Sequence, residues 1–261
     1  MRKEINLMRK CCKHSAWIAA IVFVLIAYTA CTAPTAQQKP RLVLFVGVDV
    51  SGSFHGTGYY NDAIAFLSHY IYGHLHELGG LSKLRALFVG CIGGRTADEP
   101  KAFHPIHDLE EKNIPQIEEE LRKWFPPEDI ITDFNAFFEE IARLTKDRNL
   151  TLAPISIIIV TDGVPALGTR EDKAAYEKIN LEPLEYLSRR VTVRLTYLEP
   201  KVAQHWREDV PSRRVRIWTV AGEVMKGWRA QMEPGVELAQ QEKLWKWVKD
   251  NVDFRVRARR F

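Results

Sequence analysis

The sequence predicts an α/β fold: a doubly wound, mostly parallel central sheet with helices on both faces. Three observations predict it. Four runs of strand length stand out, Arg41–Asp49, Leu84–Ile92, Pro154–Thr161 and Val191–Leu198, and the first lacks polar alternation, as a strand buried on both faces would. Segments with apolar residues at three- and four-residue steps, the helical period, separate them. Strands alternating with helices build crossover connections, which place the strands parallel.

The elements follow in order. A basic stretch ends at Lys13, and an apolar run of 15 residues, Ala16–Ala30, comes next. A membrane span wants about 20 apolar residues and a signal-peptide core about 7–15. The run closes on Tyr28-Thr29-Ala30-Cys31, which resembles the lipobox of bacterial lipoproteins. That resemblance implies a signal peptide over residues 1–30 and a lipidated Cys31 as the first mature residue. It also implies a body facing the periplasm or exterior, held on a bacterial membrane in the cell envelope. Tyr28 departs from the aliphatic residue usual there, and an uncleaved anchor or ordinary cleavage are the alternatives. Met8 begins a more usual signal length than Met1, and Thr32 after the cysteine favours the outer membrane. Residues 31–40 read as a polar linker, 41–254 as one domain and 255–261 as a basic tail with four arginines.

Within the domain, Tyr60–Leu78 reads as a helix carrying Ile64, Leu67, Ile71, Leu75 and Leu78, stopped by Gly79-Gly80. Ala97–Ile106 holds a short edge strand. Ile114–Phe125 is a helix closed by Pro126-Pro127, and Asp133–Thr145 another, with Phe134, Phe137, Phe138, Ile141 and Leu144 on one side. Arg170–Arg189 reads as mainly helical with a break at Pro183. Pro200–Asp209 is a short helix. Arg213–Val220 alternates basic and apolar residues like an edge strand with one wet face. Val236–Val252 is the last helix, with Leu244, Trp245, Trp247 and Val248 inward.

Charge and cysteine usage exclude several classes. The chain has 37 Lys and Arg against 33 Asp and Glu, but residues 1–30 hold five bases and one acid, so the rest is balanced. No global basic excess argues for nucleic acid as a partner. Of four cysteines only Cys91 lies in the domain, ending the apolar run LFVGC. It can form no intramolecular disulfide or zinc cluster there and reads as a small core residue.

In open α/β sheets, ligands bind beyond the carboxyl ends of the strands. After the first strand comes Asp49-Val50-Ser51-Gly52-Ser53; after the central one comes Thr161-Asp162-Gly163; Thr132 stands at the start of a helix. Asp49, Ser51, Ser53, Thr132 and Asp162 are all oxygen donors, suited to a hard octahedral cation, Mg²⁺ or Mn²⁺. Two aspartates balance a divalent charge, and hydroxyls complete the shell without adding to it. Turn residues that merely cap helices are the bland alternative. Thr96, also in a loop past a strand, competes with Thr132.

These residues carry a further resemblance. DxSGS after an apolar first strand, a threonine before a helix and TDG after an apolar central strand are similar to the von Willebrand factor type A (vWA) domain. Its metal-ion-dependent adhesion site, MIDAS, has the pattern DxSxS…T…D. The resemblance spans about Arg41–Phe254. It implies that Ser51, Ser53 and Thr132 ligate the metal directly, and Asp49 and Asp162 directly or through water. It implies a membrane-tethered binding module whose metal captures an Asp or Glu of a protein partner.

Other candidates are weaker. Asp133 reads as a helix cap. His104-x-x-His107 and His74-x-His76 lack a telling acidic or cysteine partner, and His55 and Tyr59 either rim the site or decorate a loop. No serine or cysteine triad offers a nucleophile, so the chain is not read as an enzyme. A phosphatase of the haloacid dehalogenase type would need a second aspartate where Ser51 stands. A structural envelope lipoprotein without metal-dependent activity is the remaining alternative.

Overall fold

A computed structural model describes residues 41–96, 101–128, 131–166 and 168–254. The signal peptide, lipidated Cys31, linker and basic tail expected over residues 1–40 and 255–261 lie outside the described residues. Among those described, no helix is long and apolar enough to cross a membrane.

Six strands form one sheet. They are β1 (Leu42–Val48), β2 (Leu84–Cys91), β4 (Phe103–Pro105), β6 (Ile155–Val160), β7 (Val191–Leu198) and β8 (Arg216–Ala221), in the order β4-β2-β1-β6-β7-β8. All pairings are parallel except the edge strand β4, which runs antiparallel to β2. Two-residue strands β3 (Gly93–Gly94) and β5 (Ile131–Thr132) pair separately. The predicted class is the observed one. Alternate residues of β1 enter two cores. Leu44, Val46 and Val48 pack with Ile64, Leu67, Ile117, Leu121 and Trp228. Val43 and Phe45 pack with Phe137, Phe138, Ile141, Tyr176 and Trp206. Burial on both faces is why β1 carries no polar alternation, whereas β7 does alternate and buries Thr192, Arg194 and Thr196.

The helices are α1 (Gly52–Gly56), α2 (Tyr60–Leu75), α3 (Ile114–Trp124), α4 (Phe134–Asp147), α5 (Lys173–Glu177), α6 (Glu182–Glu185), α7 (Pro200–Glu208), α8 (Gly222–Met225) and α9 (Glu242–Asn251). Five differ from the sequence reading. Helix α2 ends at Leu75, short of Leu78, because Glu77 (φ 55°) and Gly79 (φ 56°) turn left-handed. At Gly79 a side chain would start 2.1 Å from Trp245 Cβ, so only glycine lets α9 pack there. The predicted helix Arg170–Arg189 is two short helices. Asn135 of α4 donates to the Lys178 carbonyl (3.2 Å) and accepts from the Asn180 amide (2.7 Å), diverting the backbone between α5 and α6. Pro183 sits in the first turn of α6, where its missing amide is harmless. The last helix begins at Glu242, after a single 3₁₀ turn at Leu238–Gln240. Helix α1, within the DxSGS segment, was not anticipated.

A bulge in β7 meets the segment that follows β1. The β7–β8 register shifts between Thr196 and Leu198, and Tyr197 sits there at φ 72°, rare for a non-glycine residue. Its buried ring meets Phe54 of α1 and Tyr59, and its hydroxyl donates to Asp62 of α2 at 2.8 Å. The bulge thereby ties the start of α1 and α2 to the sheet.

Candidate metal centre

The order β2-β1-β6 makes the gap between β1 and β6 the topological switch point, where chains leave in opposite directions and a crevice opens. Asp49 and Asp162 follow these two strands, and both are buried, at 0% and 2% exposure. Backbone hydrogen bonds align them: the Asp49 amide donates to the Val160 carbonyl (3.0 Å) and the Thr161 amide to Thr196 (3.3 Å).

Asp49 is held on both oxygens. Oδ1 accepts from the Ser51 amide at 2.9 Å, and Oδ2 accepts from Thr161 Oγ1 at 2.6 Å. Ser51 Oγ caps α1 and lies 3.1 Å from Ser53 Oγ. Asp162 Oδ1 accepts from the Val164 amide at 3.1 Å, and Ser53 lies near enough to hold its carboxyl down. Asp162 Oδ2 is buried with no hydrogen-bond partner. Four of the five sequence-predicted residues therefore form one connected cluster.

Thr132 arrives by another route. It pairs with Gly93, the Asp133 amide donates to the Ile92 carbonyl (3.1 Å), and the Ile92 amide donates to Val48 (3.1 Å). The Thr132 carbonyl accepts from the Ala166 amide at 3.1 Å, four residues past Asp162. Thr132 thus stands between the two strand ends, 5% exposed, its side chain making no hydrogen bond with the other four. It also lines a mostly apolar cavity of about 230 Å³ with Phe134, Pro165, Ala175 and Ile179. Asp133 caps α4, accepting from the Ala136 amide at 3.0 Å, as its position suggests.

The electrostatics are those of two carboxylates confined together. Burial, and after it the charge of Asp162, pushes Asp49 up from 3.8 to about 6 against the hydrogen bonds of Thr161 and Ser51. Burial also raises Asp162, opposed by Val164 and Ser53. An unpartnered buried carboxylate oxygen beside a second carboxylate is the environment a divalent cation relieves. Among the described residues no three His, Cys, Asp or Glu side chains converge, so a cation here has to take hydroxyl oxygens as well. The donor set fits Mg²⁺ or Mn²⁺.

Two residues escaped the sequence reading. Thr161 holds Asp49 and accepts from the Gly163 amide at 2.8 Å; its place before Asp162 was the available signal. Lys101 is buried, its ammonium on the Gly93 carbonyl at 3.1 Å, and nothing in its neighbours announces that. The remaining candidates lie elsewhere. His104 stacks on Trp124 at 3.9 Å, His107 pairs with Glu110, and His74 is buried against the Ser82 carbonyl. His55 stacks on Tyr60, and the Tyr59 hydroxyl donates to Glu223. Trp245 is core, and Trp247 packs half-buried against it. Cys91 is half-buried, accepts from the Gly93 amide at 3.3 Å, and is pushed up to about 11 by burial.

No family profile matches the sequence, and no curated protein is significantly similar to it. Solved structures are similar at low identity. They include proximal thread matrix protein 1 of the mussel byssus (11% identity, 80% of this chain and 47% of that one, TM-score 0.41). Manganese-loaded TRAP protein of Plasmodium vivax is another (16%, 69% and 68%, 0.44). So is the VWA domain of SpRpn10 (11%, 81% and 96%, 0.40). The chain spans about half, 47%, of the byssus protein's length.

Proposed function

We propose that this chain is a membrane-tethered binding module. Asp49, Ser51, Ser53, Thr132 and Asp162 hold Mg²⁺ or Mn²⁺, and a carboxylate from a protein partner completes the shell. The observation that carries this reading is the buried, unpartnered Asp162 Oδ2 beside Asp49 at the switch point. The DxSxS…T…D resemblance supports it. The bound ion would supply a positive charge that the two aspartates just balance, so it still attracts an external acid. Ser53 is exposed, which leaves that side of the cluster open to a partner. Ser51 stands where an aspartyl-phosphate phosphatase would need its second aspartate, so the reading is binding, not catalysis. The tether is Cys31, lipidated, in a bacterial envelope.

Mn²⁺ titration of the full chain, followed by capture of envelope proteins with and without chelator, tests the proposal. Wild type and Cys91→Ala should capture strongly, Thr132→Ala weakly, and Asp162→Ala or chelated protein at background. A partner retained equally well in chelator would mean that another face binds it.

A further inference from the structure

We propose that the opposite end of the sheet, where the strands begin, is a membrane-facing surface that rests on anionic phospholipid headgroups. The parallel register puts the strand starts in one row: Leu42 pairs with Leu84, Val43 with Ile155, Ile155 with Val191, and Thr192 with Arg216. Six arginines gather in and around that row: Arg85, Arg148, Arg189, Arg190, Arg213 and Arg214, all exposed. Among the described residues no carboxylate pairs with any of their side chains. The acids nearby are engaged: Asp147 pairs with Arg143 at 2.7 Å, and buried Glu185 accepts from the amides of Arg213 and Arg214. Contacts tie the patch together. Arg85 donates to the Asn149 carbonyl at 3.2 Å, the Leu152 amide to Leu187 at 2.9 Å, and the Ile155 amide to Arg190 at 2.9 Å.

The same end carries exposed apolar groups. Three large hydrophobic side chains are exposed among the described residues, and two are here: Leu152 at 83% and Tyr186 at 73%. Leu152 holds φ 70°, a conformation unfavourable for a branched residue, while its side chain gains no burial. The Arg214 guanidinium lies 5.8 Å from the Tyr186 ring centre. A tyrosine with an apolar body and polar tip beside arginines suits the headgroup boundary. The occupant follows from charge and from chain direction. The chain enters β1 at this end, 11 residues after the apolar run that closes at Ala30, so a tether there presents this end to the bilayer. The metal cluster, at the other end of the same strands, then faces away. For the side facing the membrane, the proposal rests on the anchoring reading.

The full chain in nanodiscs tests it, with a photoreactive benzophenone residue at Leu152 or, as control, at Val224. Val224 is exposed in α8, which follows the last residue of β8. Lipid adducts should form from position 152 and not from 224, and more in discs containing phosphatidylglycerol than in pure phosphatidylcholine. Each arginine near an anionic surface strengthens the contact about fivefold. Arg189→Glu, Arg190→Glu and Arg214→Glu together should therefore weaken the contact by about a hundredfold and all but abolish adducts at 152. Adducts at 224 instead, no dependence on anionic lipid, or no effect of the triple variant would overturn the proposal. A chain that does not stay in the discs overturns the anchoring reading instead; floated with the same anionic vesicles, it supports the lipid surface if 152 gives adducts and overturns it if not. Retention on mixed-sequence RNA without lipid adducts would replace it with a nucleic-acid surface.

Discussion

Asp49→Asn should stabilise the metal-free protein and abolish its response to metal, two effects of opposite sign from one atom. Asp49 titrates at 3.8 when unfolded and near 6 when buried beside Asp162. The folded state therefore binds its proton more tightly, so stability from this group is complete below about pH 4. It falls as pH rises toward 6 and is absent above that. That rise makes ionised Asp49 worth about 3 kcal/mol of instability at neutral pH. Asparagine carries no charge. Its oxygen still accepts from the Ser51 amide, but its amino group meets Thr161 Oγ1, whose donated bond at 2.6 Å is lost. That loss costs about 1–1.5 kcal/mol. The net gain of about 1.5–2 kcal/mol corresponds to roughly 3–8 °C in a domain of this size. Thermal melts in chelator at pH 7.5 and pH 4 measure it: the variant should melt higher at pH 7.5 and lose that advantage at pH 4. Repeating the melts in saturating Mg²⁺ should raise wild type and leave the variant unmoved. A variant that melts below wild type in chelator at pH 7.5, or that keeps the full metal response, would refute the picture of two carboxylates awaiting a cation.

Three further outcomes follow. Saturating Mg²⁺ or Mn²⁺, at about a hundred times its Kd, adds about 2.7 kcal/mol and should raise the melting temperature by roughly 5–10 °C; Asp162→Ala should remove the heat of binding in calorimetry. Gly163→Ala should lower the melting temperature by roughly 5–12 °C, because φ is 77° and the new carbon would stand 2.3 Å from Leu198 Cδ2; circular dichroism melts check it. Cys31→Ser should end incorporation of labelled fatty acid and release the body from membranes, since stable anchoring takes more than one acyl chain; absence of label in the wild type would sink the anchor.

Much of the fold was legible because it depends on apolar periodicity alone. The runs at β1, β2, β6 and β7 match their strands to within a residue or two at either end, since strands buried on both faces are mostly apolar; Ser156, Thr192, Arg194 and Thr196 are the buried polar exceptions. Boundaries failed where a distant partner decides them. Helix α2 stops at Leu75 because Trp245, far along the chain, occupies the space beside Gly79, and α5 and α6 separate because Asn135 takes the backbone between them. The carboxylates of the cluster were legible for a related reason: each directly follows a buried strand or its threonine, and the strand order then brings the two ends together. What the sequence does not carry is the local wiring. Thr161 looks like any residue closing a strand until its hydroxyl is seen bridging the Gly163 amide to Asp49 Oδ2. That bridge explains why Gly163 is confined. Its left-handed turn delivers its amide to Thr161 and its carbonyl to Trp206 Nε1 at 2.8 Å, while Leu198 and Val202 fill the place of a side chain. The glycine, the threonine and the aspartate are one device: the turn orients the hydroxyl, and the hydroxyl fixes one oxygen of Asp49. Asp162 Oδ2, with no such donor, remains the atom in the cluster that protein hydrogen bonds do not satisfy.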